Sequence, residues 1–89
     1  MTFRPDLYVL ARFLERLAEP RPWTRASLQL AVRLNYTLFA RYLDFLAGKG
    51  WVRIEATETP ATIVLTHAGH EAWSALRTWL ATWLSGSKL

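Results

Sequence analysis

The stretch LNYTLFARYLDFLAGKGWV, residues 34–52, decides how this chain folds. Phe39, Tyr42, Leu43 and Leu46 recur every three or four positions, so a helix would gather them into one buried stripe. Asn35 tolerates the left-handed backbone conformation and is expected to close a preceding helix. Thr37 is expected to cap the helix that follows, and Gly48 and Gly50 to stop it. The period then changes. In WVRIEA, 51–56, Trp51, Arg53 and Glu55 alternate with Val52, Ile54 and Ala56, as in a half-buried strand.

Downstream, TETP (57–60) is a turn with a proline exit, and ATIVLT (61–66) is a second β-branched strand. Residues 51–66 are therefore expected to form a hairpin. Thr66 can cap a last helix from His67 to about Leu84, and SGSKL (85–89) reads as a flexible tail. Upstream, Pro5 and Asp6 suit the first turn of a helix carrying Leu7, Leu10, Phe13, Leu14 and Leu17. On its outer face Arg12 with Glu15, and Arg16 with Glu19, are three apart and can pair, although a plain solvated surface is the preferred reading of these four. Pro20 and Pro22 end that helix, which makes EPRPW (19–23) a stiff connector. Thr24 caps a short second helix with Leu28, Ala31 and Val32 inside.

The order is helix, helix, helix, strand, strand, helix, in a chain of 89 residues whose length suits one domain, placed at 1–84. Three helices followed by a hairpin make a winged helix-turn-helix, of the mainly α (α+β) class. The short turn at 33–37 fits between the two helices of that motif.

The chain is 52% hydrophobic and 20% charged, far from a disordered composition. It has no Cys, which removes disulfides, thiolate zinc sites and a Cys nucleophile together. No apolar run nears the roughly 18 residues of a membrane span. The charged N-terminal helix does not read as a secretory signal, so the expectation is a cytoplasmic protein. The net charge of +4 and a pI near 10.1 favour a polyanionic partner. That charge is uneven. In residues 1–33, Arg4, Arg12, Arg16, Arg21, Arg25 and Arg33 meet only Asp6, Glu15 and Glu19. In residues 34–66, Arg41, Lys49 and Arg53 are matched by Asp44, Glu55 and Glu58.

Leu34, Tyr36, Tyr42, Leu43, Leu46, Gly50, Val52, Leu65, Thr66 and Gly69 match a pattern found in small archaeal-type winged helix-turn-helix DNA-binding proteins. Phe39 and Trp51 stand where Leu is usual in that group, which includes dimeric chromatin proteins. The resemblance spans about residues 5–84. It implies a winged-helix fold, sequence-tolerant or operator DNA binding with a place on the nucleoid, and dimerisation through a long C-terminal helix. Members commonly carry Lys, Arg or Ser on the exposed face of the third helix. Here Thr37, Leu38, Ala40, Arg41, Asp44 and Phe45 occupy or border that face, and the wing tip carries Glu58 and no cation.

Four sets of residues are candidates for function. On the third helix, Tyr36, Thr37 and Arg41 would face bases, with Leu38 or Ala40 against thymine methyls. The alternative is a protein-interaction module without DNA, using Leu38 and Phe45. A second set is Arg21, Arg25 and Arg33 with Arg53 on the hairpin, and Thr24, Arg25 and Ser27 mark a helix N-terminus suited to phosphate. The alternative there is a plain solvated surface. His67, His70 and Glu71 have zinc-capable side chains but lack a ligand spacing, so no metal is expected and a polar cluster near the cap is preferred. Gly69 is expected to permit close helix packing. Finally Trp73, Leu76, Leu80 and Trp83, flanked by Trp79 and Leu84, form a stripe wide enough for a homodimer. The alternatives are packing within the chain, or a helix lying on a membrane surface, for which the opposite face offers little beyond Arg77. No Ser/His/Asp spacing, phosphate loop or concentrated carboxylate pair points to an enzyme, and no cofactor is implied.

Overall fold

The computed structural model describes residues 3–57 and 59–86, with side chains as far as Trp83. Helix α1 spans Leu7–Leu17, α2 Arg25–Val32 and α3 Tyr36–Gly48; strands β1 (Val52–Glu55) and β2 (Thr62–Leu65) follow, and α4 spans His67–Gly86. The order is that of a winged helix-turn-helix, as the sequence implied.

Each helix starts where a side chain can accept the open backbone N–H groups of the first turn. Asp6 accepts from Tyr8 and Val9 N–H, and thus stands before α1 as its cap rather than inside it. Thr24 and Ser27 exchange side-chain and backbone bonds in a capping box at α2. At α3 the cap is Asn35, which accepts from Leu38 N–H, and not Thr37, which lies within the helix. The left-handed residue closing α2 is Arg33 (φ 60°, ψ 48°), two positions before the expected Asn35. A three-residue turn, 33–35, leaves room for one left-handed residue and one cap, and Asn35 is placed to serve as the cap. Thr66 caps α4 by accepting from Gly69 N–H, as expected, and its hydroxyl donates to the Gly50 carbonyl oxygen (2.6 Å).

One core holds the elements together. Leu10, Phe13, Leu14 and Leu17 from α1 meet Leu28 and Val32 from α2 and Phe39, Tyr42, Leu43 and Leu46 from α3. The ring of Phe13 stacks on both Phe39 and Tyr42. Leu7, expected in the α1 stripe, is the first residue of the helix, at the end of that stripe, and is 44% exposed. Arg12 does not pair with Glu15; its guanidinium donates to the Val32 carbonyl oxygen (2.8 Å), holding α1 to the end of α2. Arg16 and Glu19 do pair, at 3.1 Å.

The hairpin is antiparallel, with Val52 opposite Leu65 and Ile54 opposite Ile63. Although Ile54 and Ile63 face each other, Ile63 on the inner strand β2 is buried and Ile54 on the edge strand β1 is 37% exposed. The connector before α2 does more than link helices. Trp23 forms a bridge to Ile63, whose N–H donates to the Trp23 carbonyl oxygen (2.7 Å), and the residue is 3% exposed. β2 thus lies between β1 and Trp23, and the wing is tied to the start of α2.

Candidate nucleic-acid interface

α2, the turn at 33–35 and α3 form the helix-turn-helix. The buried side of α3 turns Phe39, Tyr42, Leu43 and Leu46 inward, which leaves Tyr36, Thr37, Arg41 and Asp44 on the outside. Tyr36 is 63% exposed and Leu38 36%. Arg41 and Asp44 do not form an ion pair with each other among the described residues. Phe45 is not open. Its ring meets Phe3 (6.0 Å between centroids) and Trp51 (6.1 Å), and the Lys49 ammonium lies 5.4 Å from its centre.

The N-terminal end of α2 faces the loop that joins β1 to β2. Thr24, Arg25 and Ala26 line a shallow cleft of about 370 Å³ with Pro60 and Ala61. The Thr24 and Ser27 hydroxyls are spent on the capping box, so the open donors there are the Arg25 and Ala26 N–H groups and the Arg25 guanidinium. Arg21 lies elsewhere. It stacks over the Trp23 indole at 4.2 Å and lines a separate cleft with Glu19, Trp23, Val64 and His70. The expected group of Arg21, Arg25, Arg33 and Arg53 is therefore not one cluster.

The arginines divide by what they touch. Arg12 holds a backbone carbonyl, Arg16 pairs with Glu19, and Arg53 pairs with Glu55 at 2.6 Å. Arg21 and Arg77 lie over the rings of Trp23 and Trp73. Arg4, Arg25, Arg33 and Arg41 are exposed and have no partner among the described residues. Those four are on α2, on its turn, on α3, or on the segment packed beside α3.

On α4, His67 and Glu71 approach to 3.4 Å in solvent, while His70 lines the cleft beside Arg21. Among the described residues no group of three or more His, Cys, Asp or Glu comes together. Trp73 and Leu76 pack against the chain's own core. Trp79 and Trp83 are 46% and 60% exposed, with rings 5.7 Å apart. The Leu84 side chain and Glu58 lie outside the described residues. No described helix is long and apolar enough to cross a membrane.

No family model matches the chain, and no curated protein matches it in sequence. In structure it is similar to Sso10a-2, described as a DNA-binding protein from Sulfolobus solfataricus, with a TM-score of 0.74 and 23% identity over 96% of this chain and 90% of that one. The two share a fold. At that identity the agreement is one of backbone and core, and this chain's own surface must carry the functional argument.

Sequence reading missed two features of the site. Trp23 stands in the connector, yet an apolar residue just before Thr24 and another at Leu28 are the two halves of a hydrophobic staple. The aromatic packing of Phe3 on α3 had no local signal, because it joins residues some forty positions apart.

Proposed function

We propose that this protein binds double-stranded DNA through its helix-turn-helix, as a homodimeric transcriptional regulator or small chromatin protein. The observation that carries the reading is the division of the arginines. Arg12, Arg16, Arg21, Arg53 and Arg77, which lie off the helix-turn-helix, are engaged within the chain; of the partnerless four, Arg25, Arg33 and Arg41 lie along it and Arg4 lies on the segment packed against α3. Free, exposed guanidinium groups are what a phosphate backbone recruits, by releasing condensed counterions. The likeness to a DNA-binding protein over nearly the whole chain supports the same reading.

In this mechanism α3 enters the major groove. Tyr36, Thr37 and Arg41 face base edges, and Leu38 reaches thymine methyls. Arg25, with the open N–H groups at the start of α2, and Arg33 hold phosphates on either side. Arg21 and Arg53 have secondary roles, since each must leave an existing partner to reach DNA. Residues 1–84 act as one domain. A second copy, joined through α4, would present its own α3 about 34 Å away, one helical turn along the duplex. The rival reading, a protein-docking surface built on Leu38 and Phe45, is weakened by the packing of Phe45 beneath Phe3 and Trp51.

The test is a titration of a labelled duplex at a series of salt concentrations. Affinity should fall steeply with salt; Arg25→Ala, which removes a phosphate contact, should reduce the log–log slope by about 0.9, and Arg41→Ala, which removes a base contact, should weaken binding by about 1–3 kcal/mol and relax sequence preference. Absence of binding at low salt would sink the proposal.

A further inference from the structure

The segment Phe3–Asp6 precedes α1 and makes no part of the helix-turn-helix in sequence. In space it lies against α3. The Phe3 ring meets Tyr42 edge-on, with centroids 5.0 Å apart, and meets Phe45 at 6.0 Å. Three residues later, the Asp6 N–H donates to the Tyr42 hydroxyl at 2.8 Å. The arm is thus attached to α3 at both ends. Between these attachments are Pro5, whose ring fixes its backbone φ, and Arg4, which is exposed and has no partner among the described residues.

The same edge of α3 carries two more cations. Arg41, Phe45 and Lys49 are four residues apart and share one side of the helix end. The Lys49 ammonium lies 5.4 Å from the centre of the Phe45 ring, a contact of the kind that Arg21 and Arg77 make; the side chain is exposed and no anion pairs with it among the described residues. Asp44, three residues after Arg41 on the outer face, is the one acidic side chain of α3 and does not pair with Arg41, and the Asp6 carboxylate is occupied in capping α1.

We infer that Arg4 and Lys49, on either side of the Phe3–Phe45 contact and beside Arg41, form a second phosphate-binding edge, and that the N-terminal arm grips the DNA strand beside the groove that α3 enters. This rests on the DNA-binding reading above and extends it to two residues outside that set, Arg4 and Lys49. It also accounts for a helix with few cations on its outer face. The charge is supplied at its flank, by a neighbouring segment and by the end of the helix. Because the arm is already ordered on α3, binding does not have to order it.

The experiment compares wild type, Arg4→Ala, Lys49→Ala and the double variant in the same salt titration, with Arg16→Ala as control because Arg16 already pairs with Glu19. All these side chains are exposed, and circular dichroism checks that each variant is folded. Arg4→Ala and Lys49→Ala should each lower the slope by about 0.9, the double variant by about 1.8, and the control by nothing. If wild type binds with a steep slope that Arg4→Ala and Lys49→Ala leave unchanged, the arm inference is overturned while the DNA-binding reading stands. If wild type does not bind at low salt, the DNA-binding reading itself falls.

Discussion

At Gly69 an added carbon would meet the Trp51 carbonyl oxygen and the Leu65 side chain. Thr66 explains the closeness. Its hydroxyl donates to the Gly50 carbonyl oxygen and accepts from Gly69 N–H, which clamps the first turn of α4 over the turn that ends α3. The neighbour is backbone and cannot rotate away. Gly69→Ala should therefore destabilise the protein by about 1–3 kcal/mol, the usual cost of overpacking a tight contact, read as a lower urea midpoint at unchanged slope. An unchanged midpoint would mean that α4 can shift freely at this point. The sequence suggested that this glycine allows close helix packing; the close partner is instead the backbone at Trp51 together with β2.

At the scale of elements, α2 shows how a connector becomes structure. Trp23 closes the bottom of the core, bridges to Ile63 and sits immediately before the Thr24 cap. Trp23→Ala should cost about 3–5 kcal/mol, as for other buried Trp truncations, and should loosen the wing as well as α2. Hydrogen exchange at the Ile63 N–H, which bonds to the Trp23 carbonyl oxygen, reports the second effect. A loss of stability with full protection at Ile63 would show that the indole matters only to the helices. The types of all six elements were legible, since periods of 3.6 and 2 separate cleanly on either side of Gly50. Cap positions were less so. Asn35 and Thr37 are both good caps, and only the path of the chain from Arg33 into α3 chooses between them. α4 runs to Gly86, two residues past the expected end. The rest of the expected tail, 87–89, lies outside the described residues.

For the whole molecule, α4 is the main question. Its 20 residues correspond to roughly 30 Å of helix, and the chain extends 51 Å along its longest axis. Leu76 and Trp83 lie seven apart on one stripe, yet Leu76 packs on the core and Trp83 is 60% exposed. The stripe continues past the body that would cover it, and Trp79 widens it. A second copy of α4 is the occupant we propose, since an apolar band that repeats at helical spacing suits a matching helix. Sedimentation equilibrium should give twice the chain mass for wild type and a concentration-dependent or single mass for Trp83→Glu. A wild-type monomer at high concentration would count against the dimer. The two-site DNA mechanism would then fail too, although binding by a single helix-turn-helix would survive.

Much of this protein was set by local sequence. Hydrophobic period, caps and the Gly48–Gly50 stop fix three helices, a hairpin and a fourth helix, because those signals act between residues a few positions apart. The tertiary structure decided what the surface offers. It alone sorted equivalent arginines into those held by Val32, Glu19, Glu55, Trp23 or Trp73 and those left open. It packed Phe45 partly beneath Phe3 and Trp51, divided the α4 stripe into a covered and an uncovered half, and laid the Phe3–Asp6 arm along α3. The physical reason is the same in each case. A charge or a ring is free or occupied according to neighbours distant in sequence, and no period or spacing within a single segment records them.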